Sequence, residues 1–390
     1  MTLKRCNAIV GYNKLMPDFD LEQPITKTGE LKQIANILAD QPVIAVDTES
    51  NSLFAYQEQV CLIQFSTPDE DYLVDPLALK GLSALEPIFA DPHIQKTFHA
   101  AEYDLICLKR DFGFRFNNIF DTMMAARILG RKEVGLGSML EAEFNLHVDK
   151  KHQRANWGQR PLPGFLLDYA RQDTHCLIPL KKKLERELKK KGFLRLAQED
   201  FQRLCQVEAG PDNGKDDCWR VNGVHRLSPQ KVAVLKELCI YRDEVARKCN
   251  RPLFKVISDH TLHAIASASP TTIEELKTLP GMTQHQIDRH GKTILQAVQR
   301  GLQAEPVHPP RNTRPDDRYL ARLEALKQWR KLKAHQLEVE SDIILPRDLL
   351  HVLAAKNPKN ESALADCLSD VPWRCERYGE EILKVLIKHV

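Results

Sequence analysis

The sequence predicts an α/β domain, with a mixed sheet flanked by helices, followed by two small all-α domains. Three observations predict this fold class. Short apolar runs rich in β-branched residues occur in the first half, the second half shows only helical periodicity, and that helical half contains an internal repeat. A chain of 390 residues is long enough for two or three domains.

Four short apolar runs are predicted to be strands, at residues 43–46, 60–65, 71–75 and 94–99. The links between the first three are too short to hold a crossover helix, so these strands are expected to be antiparallel neighbours. Helices are predicted at residues 28–39, 102–110, 122–129, 136–143 and 165–190. We therefore expect an α/β domain at residues 25–205, preceded by an extension of unknown role at residues 1–24.

The second half is predicted to be a duplicated helical domain. A shift of 88 residues places Leu235 on Leu323, Tyr241 on Trp329 and Gly291 on Gly379. A repeat of this length indicates a duplicated small domain and not a solenoid. The clearest linker, rich in Gly, Pro and charge, lies at residues 209–217. The predicted segments are a linker at 206–225, a first domain at 226–303, a Pro-rich linker at 304–314 and a second domain at 315–390.

Composition excludes several classes of protein. Lys and Arg total 56 against 53 Asp and Glu, a net charge of +3, which argues against a chain saturated with basic tails but is compatible with a basic face beside an acidic site. No apolar run approaches the ~18 residues of a membrane span, and no apolar segment follows Met1. The ten cysteines are scattered without a C-x-x-C pair, which argues against a zinc knuckle or a disulfide scaffold and fits reduced thiols. We expect a cytoplasmic protein without a membrane partner.

Two acids follow the first predicted strand. Asp47 and Glu49 are separated by one residue, so strand alternation places both on one face, about 6.6 Å apart along the strand. Two such carboxylates repel each other unless a cation lies between them, and hard oxygen ligands suit Mg²⁺ or Mn²⁺. The structural alternative is a strand that ends in a polar loop.

Further acids follow the fourth strand and lie on a late helix. Asp104 is expected in the first turn of a helix, directed towards the edge where Asp47 and Glu49 emerge, although acids at helix starts also simply complement the helix dipole. Tyr169 and Asp173 are four residues apart and share a helix face. This pair is suited to orienting a water molecule, and it is equally compatible with a plain hydrogen bond. Asp121 is better explained as a helix N-cap.

In combination, the four acids and Tyr169 resemble the DEDD exonuclease superfamily, which has an RNase H-like fold. A tyrosine four residues before the last acid marks the Tyr subgroup, since the His subgroup carries histidine at the position of Asp168. Residues 59–65 and 156–162 resemble the ribonuclease D branch. The two helical repeats resemble HRDC domains, small modules that bind nucleic acids.

The resemblance implies an active site and a reaction. Asp47, Glu49, Asp104 and Asp173 would hold two divalent metal ions, Mg²⁺ or Mn²⁺, and Tyr169 would orient the attacking water. The implied enzyme is a 3′→5′ exoribonuclease of the ribonuclease D type. It would release 5′-monophosphates from RNA with an accessible 3′ end, such as tRNA precursors, without an obligatory protein partner. The direction of digestion follows only from the resemblance.

Several residues are predicted to contact RNA: His99, Arg154, Trp157, Arg160 and Arg330. Arg154, Trp157 and Arg160 precede the helix of Tyr169, where phosphate contact and base stacking would define a strand path. The alternatives are that Trp157 is a core residue and that His99 is a structural hydrogen-bonding residue. Arg330 belongs to a series of eight basic residues at 311–333 that forms a basic stripe if the segment is helical.

Three alternative functions remain open at this point. The first is a 3′→5′ DNA exonuclease of the same superfamily, acting in DNA repair. The second is a non-catalytic RNA-binding scaffold, which the presence of all five motif residues argues against. The third is a subunit of a larger RNA-decay assembly.

Overall fold

The computed structural model of the protein describes residues 23–148, 151–208, 217–308 and 315–388. A five-stranded sheet forms the centre of the first domain, in the order β3-β2-β1-β4-β5. Its strands are Val43–Ser50 (β1), Val60–Ser66 (β2), Asp71–Val74 (β3), Gln95–Phe98 (β4) and Ile119–Asp121 (β5). No helix in these residues is long and apolar enough to cross a membrane. The predicted extension at 1–24 and the core of the linker at 209–217 lie almost wholly outside the described residues.

The sheet is mixed, as predicted. β2 is antiparallel to both β1 and β3, which confirms the expectation drawn from the short links. β4 is parallel to both β1 and β5. The sequence did not predict β5, because three residues are too few to show a period of two.

Eight helices of the described residues belong to this domain: Thr28–Ala39 (α1), Glu86–Ala90 (α2), Glu102–Phe112 (α3), Thr122–Ile128 (α4), Leu136–Phe144 (α5), Gly164–His175 (α6), Leu177–Lys191 (α7) and Leu194–Cys205 (α8). The predicted single helix at 165–190 is wrong, since the chain leaves helical geometry at Cys176, between α6 and α7. Pro179 explains the break: a proline has no N–H to continue a helix, but it fits the first turn of a new one. The sequence did not predict α2 or α8.

Strand β1 is buried on both faces before it reaches the acids. Ile44 and Val46 pack in one core with Phe65 and Phe98, while Ala45 packs in a second core on the other face with Phe120. Asp47 is the first acid after this buried stretch. The two cores therefore hold the strand from which the acids project.

Within residues 217–308 and 315–388, the helical half contains two sets of five α-helices. The first set is Pro229–Lys248 (α9), Leu253–Val256 (α10), Asp259–Ala268 (α11), Ile273–Lys277 (α12) and Gln284–Gln303 (α13). The second set is Asp317–Leu337 (α14), Ser341–Ile344 (α15), Arg347–Lys356 (α16), Glu361–Cys367 (α17) and Pro372–Ile387 (α18). Each helix of the second set begins 88 residues after its counterpart in the first. The predicted duplication is confirmed.

The chain forms two compact units, and each unit combines segments that are not consecutive in the sequence. The second helical domain shares a unit with the α/β domain. The first helical domain forms the other unit with residues 51–59, the loop between β1 and β2. In that unit, the hydroxyl of Tyr56 donates a hydrogen bond of 2.5 Å to Asp243, and the ammonium of Lys255 lies 4.1 Å from the ring centre of Phe54.

A buried arginine joins the second helical domain to α8. Arg374 has no solvent exposure. Its guanidinium donates to Glu199 (3.0 Å) and Asp200 (2.8 Å) of α8, and to the carbonyl oxygens of Ile343 and Ile344. Both acids of α8 are nearly buried, so the arginine neutralises charges that would be costly alone.

The cysteines follow the sequence prediction with one exception. Eight of them form no disulfide within the described part of the chain. Cys176 is disulfide-bonded, which the scattered spacing did not predict.

Candidate active site

Three carboxylates meet at the end of β1. Asp47 and Glu49 project from β1, and Asp173 comes from α6. One carboxylate oxygen from each residue lies within 4.8 Å of those of the other two. Among the described residues this is the only group of three or more His, Cys, Asp or Glu side chains arranged to hold a metal ion. We refer to these three residues as the acid cluster.

The ionised state of the three carboxylates is unfavourable without a cation, because they are buried and repel one another. Burial, together with the charge of Asp173, raises the pKa of Asp47 well above its usual range. Burial and the neighbouring acids raise the pKa of Glu49 to about 10, and burial raises the pKa of Asp173 to about 7. A bound divalent cation would reverse these shifts, because it favours the ionised carboxylates. An all-carboxylate donor set fits Mg²⁺ or Mn²⁺.

The fourth predicted acid lies beside the acid cluster. Asp104 is buried in the first turn of α3, and the hydroxyl of Thr48 donates a hydrogen bond to its carboxylate. Burial and the charge of Asp47 raise the pKa of Asp104, which shows that the two carboxylates interact. The structure therefore brings three of the predicted ligands into one group and places the fourth next to Asp47.

Tyr169 is hydrogen-bonded to the acid cluster. Its hydroxyl donates to the carboxylate of Asp173, one helical turn further along α6. Burial and the charge of Asp173 raise the pKa of Tyr169 above its ordinary value. The phenol therefore keeps its proton and acts at this site as a hydrogen-bond donor.

A cavity of about 340 Å³ opens over the acid cluster. Its lining includes Tyr169, His99 and Gln153 beside the acids, and the N-terminal residues Gly135, Leu136 and Gly137 of α5. The sequence predicted this helix start but not its position at the site, although the G-x-G at residues 135–137 was a usable signal. Free backbone N–H groups at a helix N-terminus suit an anionic ligand.

Gln64 is a second residue that sequence reasoning missed. It pairs directly with Asp47 across β1 and β2, so the two side chains share a face of the sheet. The amide is fully buried, and neither its oxygen nor its nitrogen has a hydrogen-bond partner. A buried polar group without a partner is unusual and marks a position where packing alone does not explain the residue.

The structure favours the alternative that Trp157 is a core residue, and the RNA contact of Arg160 stays a prediction. The ring of Trp157 is only 1% exposed and packs in a core with Leu62 and Tyr169, so it cannot stack on a base. Arg160 uses all five of its donors. It bonds both carboxylate oxygens of Asp75 and the carbonyl oxygens of Cys61, Trp157 and Gln159.

The remaining predicted RNA contacts are those of Arg330, Arg154 and His99. Arg330 is half-buried and donates to the carbonyl oxygen of Leu345, and burial lowers the pKa of its guanidinium. It therefore helps to hold the second helical domain together, and its phosphate contact stays a prediction. Arg154 is exposed, and its contact with RNA stays a prediction. His99 lies in the cavity, as stated above.

The domain organisation matches known families. Residues 23–189 match the 3′-5′ exonuclease family, and residues 231–298 and 319–386 each match the HRDC domain. The chain is 31% identical to ribonuclease D of Nitrobacter hamburgensis over 372 residues, 94% of each chain. The chain belongs to the ribonuclease D family. Ribonuclease D of Desulfotalea psychrophila is 30% identical over 330 residues, 83% of this chain and 88% of that one.

A solved ribonuclease D has the same fold over nearly the whole chain. The Escherichia coli RNase D, described as an exoribonuclease involved in structured RNA processing, has a TM-score of 0.69 and 26% identity. The match covers 94% of this chain and 99% of that one. As a member of the ribonuclease D family, the chain is a 3′→5′ exoribonuclease, which confirms the activity expected from the motifs. The exonuclease family depends on divalent metal ions, in agreement with the acid cluster.

Proposed function

We propose that this exoribonuclease trims the 3′ trailers of structured RNAs such as tRNA precursors and releases nucleoside 5′-monophosphates. Asp47, Glu49, Asp104 and Asp173 would hold two divalent ions, Mg²⁺ or Mn²⁺. The observation that carries the proposal is the acid cluster, which lines a cavity and brings one oxygen from each of its three carboxylates within 4.8 Å of the others. The ions would supply the charge that activates a water and stabilises the oxygens of an in-line displacement.

Tyr169 is proposed to orient the attacking water and the scissile phosphate. Its raised pKa excludes it as a general base at neutral pH, because it holds its proton. A phenol with a fixed hydrogen can donate to a phosphate oxygen once Asp173 is engaged elsewhere. Its buried ring, packed 6.1 Å from the ring of Trp157, holds the hydroxyl in position.

The first helical domain is proposed to contact the RNA backbone. Arg251, Lys255 and Arg289 line a small pocket of about 120 Å³ together with His285 and His290. No carboxylate lines this pocket, and none of the three long cations forms an ion pair within the described residues. Cations without an acidic partner favour a phosphodiester and make binding dependent on salt.

A time course with RNA labelled at its 5′ end tests the proposed function. The substrate carries a single-stranded 3′ trailer on a structured stem, a DNA of the same sequence serves as comparison, and each is run with Mg²⁺, Mn²⁺ or EDTA. The expected result is a one-nucleotide ladder on RNA that EDTA abolishes and that stops near the stem. Asp173→Asn should abolish the ladder, and Asp168→Asn, an exposed acid on the same helix, should leave it intact. A ladder on DNA alone, or no products with either metal, contradicts the proposal.

A further inference from the structure

We propose that Nε2 of His99 accepts a hydrogen bond from a sugar hydroxyl of the 3′-terminal nucleotide, so that hydrolysis depends on the terminal ribose. The inference rests on the proposed function, because it assumes that a terminal nucleotide occupies the cavity over the acid cluster. It gives the predicted RNA contact of His99 a defined role, as a specificity-determining contact for the sugar.

The hydrogen bonds of Thr122 assign the tautomer of His99. The Thr122 hydroxyl donates to the carbonyl oxygen of Phe98 at 3.0 Å, and the same oxygen lies 2.9 Å from Nδ1 of His99. A hydroxyl has one hydrogen, so when that hydrogen lies on the Phe98 oxygen, Oγ1 accepts at the second contact, and on this basis we assign the proton to Nδ1. Burial lowers the pKa of His99 below its ordinary value. The ring is therefore neutral at pH 7, and Nε2 presents a lone pair.

The backbone around His99 holds the ring in one place. The strand β4 ends at Phe98, and Ala100 adopts a φ of 63°, a left-handed conformation that is strained for alanine. The carboxylate of Asp121 accepts the backbone N–H groups of Ala100 (3.1 Å) and Ala101 (2.8 Å) and so maintains this turn. An acceptor fixed at the wall of a cavity is pre-organised for one ligand group.

Because Nε2 carries a lone pair, the ligand group that binds it must be a hydrogen-bond donor. Phosphate oxygens carry no hydrogen at neutral pH and are repelled by it, whereas a sugar hydroxyl can donate to it. His99 shares the cavity with Asp47, Glu49 and Asp173, where the scissile phosphate is proposed to bind. The sugar is covalently joined to that phosphate, so its hydroxyls are the nearest donors that the substrate brings.

Single-turnover rates with three RNA oligomers test this assignment. The oligomers differ only at the last residue, which carries a ribose, a 2′-deoxyribose or a 3′-deoxyribose. We expect the wild-type protein to remove the ribonucleotide about five- to tenfold faster than the residue that lacks the bonded hydroxyl. His99→Phe should lose this preference, and His99→Gln, whose side-chain oxygen can replace Nε2, should keep part of it. His93→Phe, at an exposed histidine of the same domain, should behave as wild type.

Nitrogen NMR of the metal-free protein provides a readout apart from activity. Nε2 of His99 is expected to give the signal of an unprotonated nitrogen, and this signal should shift with adenosine 5′-monophosphate more than with its 2′,3′-dideoxy analogue. A protonated Nε2, an unchanged preference in His99→Phe, or a preference that follows the terminal base overturns the inference. Failure of the proposed function gives a different result: neither the wild-type protein nor any variant removes a terminal nucleotide when metal is present.

Discussion

Thr48 and Asp104 are hydrogen-bonded across the active site, although 56 residues separate them in the chain. Thr48 lies between Asp47 and Glu49 on β1, and Asp104 lies in the first turn of α3. The bond therefore joins the two elements that carry three of the predicted metal ligands. The same hydroxyl lowers the pKa of Asp104, against the larger effect of burial.

Replacing Thr48 with valine tests this connection. Thr48→Val keeps the shape of the side chain but leaves the buried Asp104 carboxylate without its donor, so we expect a loss of about 1–3 kcal/mol of unfolding free energy. Thr48→Ser retains the hydroxyl and should lose much less. Urea denaturation of both variants measures the difference, and equal stability of valine and serine variants would show that the bond contributes nothing.

The phenol of Tyr169 is expected to act in the reaction and not in metal binding. Tyr169→Phe removes the donor to Asp173 and the proposed water-orienting group while it keeps the buried ring. We expect hydrolysis to slow by about 10- to 100-fold, in the range of lost supporting contacts at metal sites, with Mn²⁺ affinity nearly unchanged. Single-turnover rates and metal titration separate the two effects. Unchanged turnover rejects the assigned role.

The raised pKa values of the acid cluster predict how stability depends on pH. Asp173 titrates near 7 in the metal-free folded protein and near its ordinary 3.8 when unfolded. Between these values the folded state binds more protons, so stability should fall as pH rises from about 4 through about 7. Melting curves without metal measure this slope, and Asp173→Asn should reduce it. Adding Mg²⁺ should stabilise the protein increasingly as pH rises, and a slope of opposite sign in metal-free protein contradicts the account.

Arg374 is expected to dominate the packing of the second helical domain on α8. Arg374→Met leaves Glu199 and Asp200 buried without a cation, so we expect a loss of about 3–5 kcal/mol. Arg195→Met removes an exposed ion pair between Arg195 of α8 and Glu376 of α18 and should cost at most about 1 kcal/mol. Denaturant unfolding of the two variants makes the comparison, and equal losses would refute the buried network.

Local patterns predicted the sheet and the acids well. A short apolar run rich in β-branched residues identified β1, and the i, i+2 and i, i+4 spacings placed Asp47 with Glu49 and Tyr169 with Asp173. These relationships depend only on neighbours in the chain. The repeat in the helical half was equally accessible, because both copies preserve the same offset.

Partners distant in sequence were not predictable. Arg160 donates a hydrogen bond to Asp75, 85 residues earlier. Arg374 donates to Glu199, 175 residues earlier. No spacing rule in the sequence predicts either pair. The burial of Trp157 depends on how its loop packs on α6, which a single sequence does not specify. For the same reason, Gln64 beside Asp47 became visible only through the strand register.

Direct titration of metal into the purified protein tests the central claim, that the acid cluster binds the catalytic ions. Calorimetry with Mn²⁺ at pH 7.5 should show two ions bound per wild-type chain, loss of at least one in Asp173→Asn, and unchanged binding in Asp168→Asn. Wild-type protein without specific binding, or an Asp173→Asn variant that binds as well as wild type, would contradict the account.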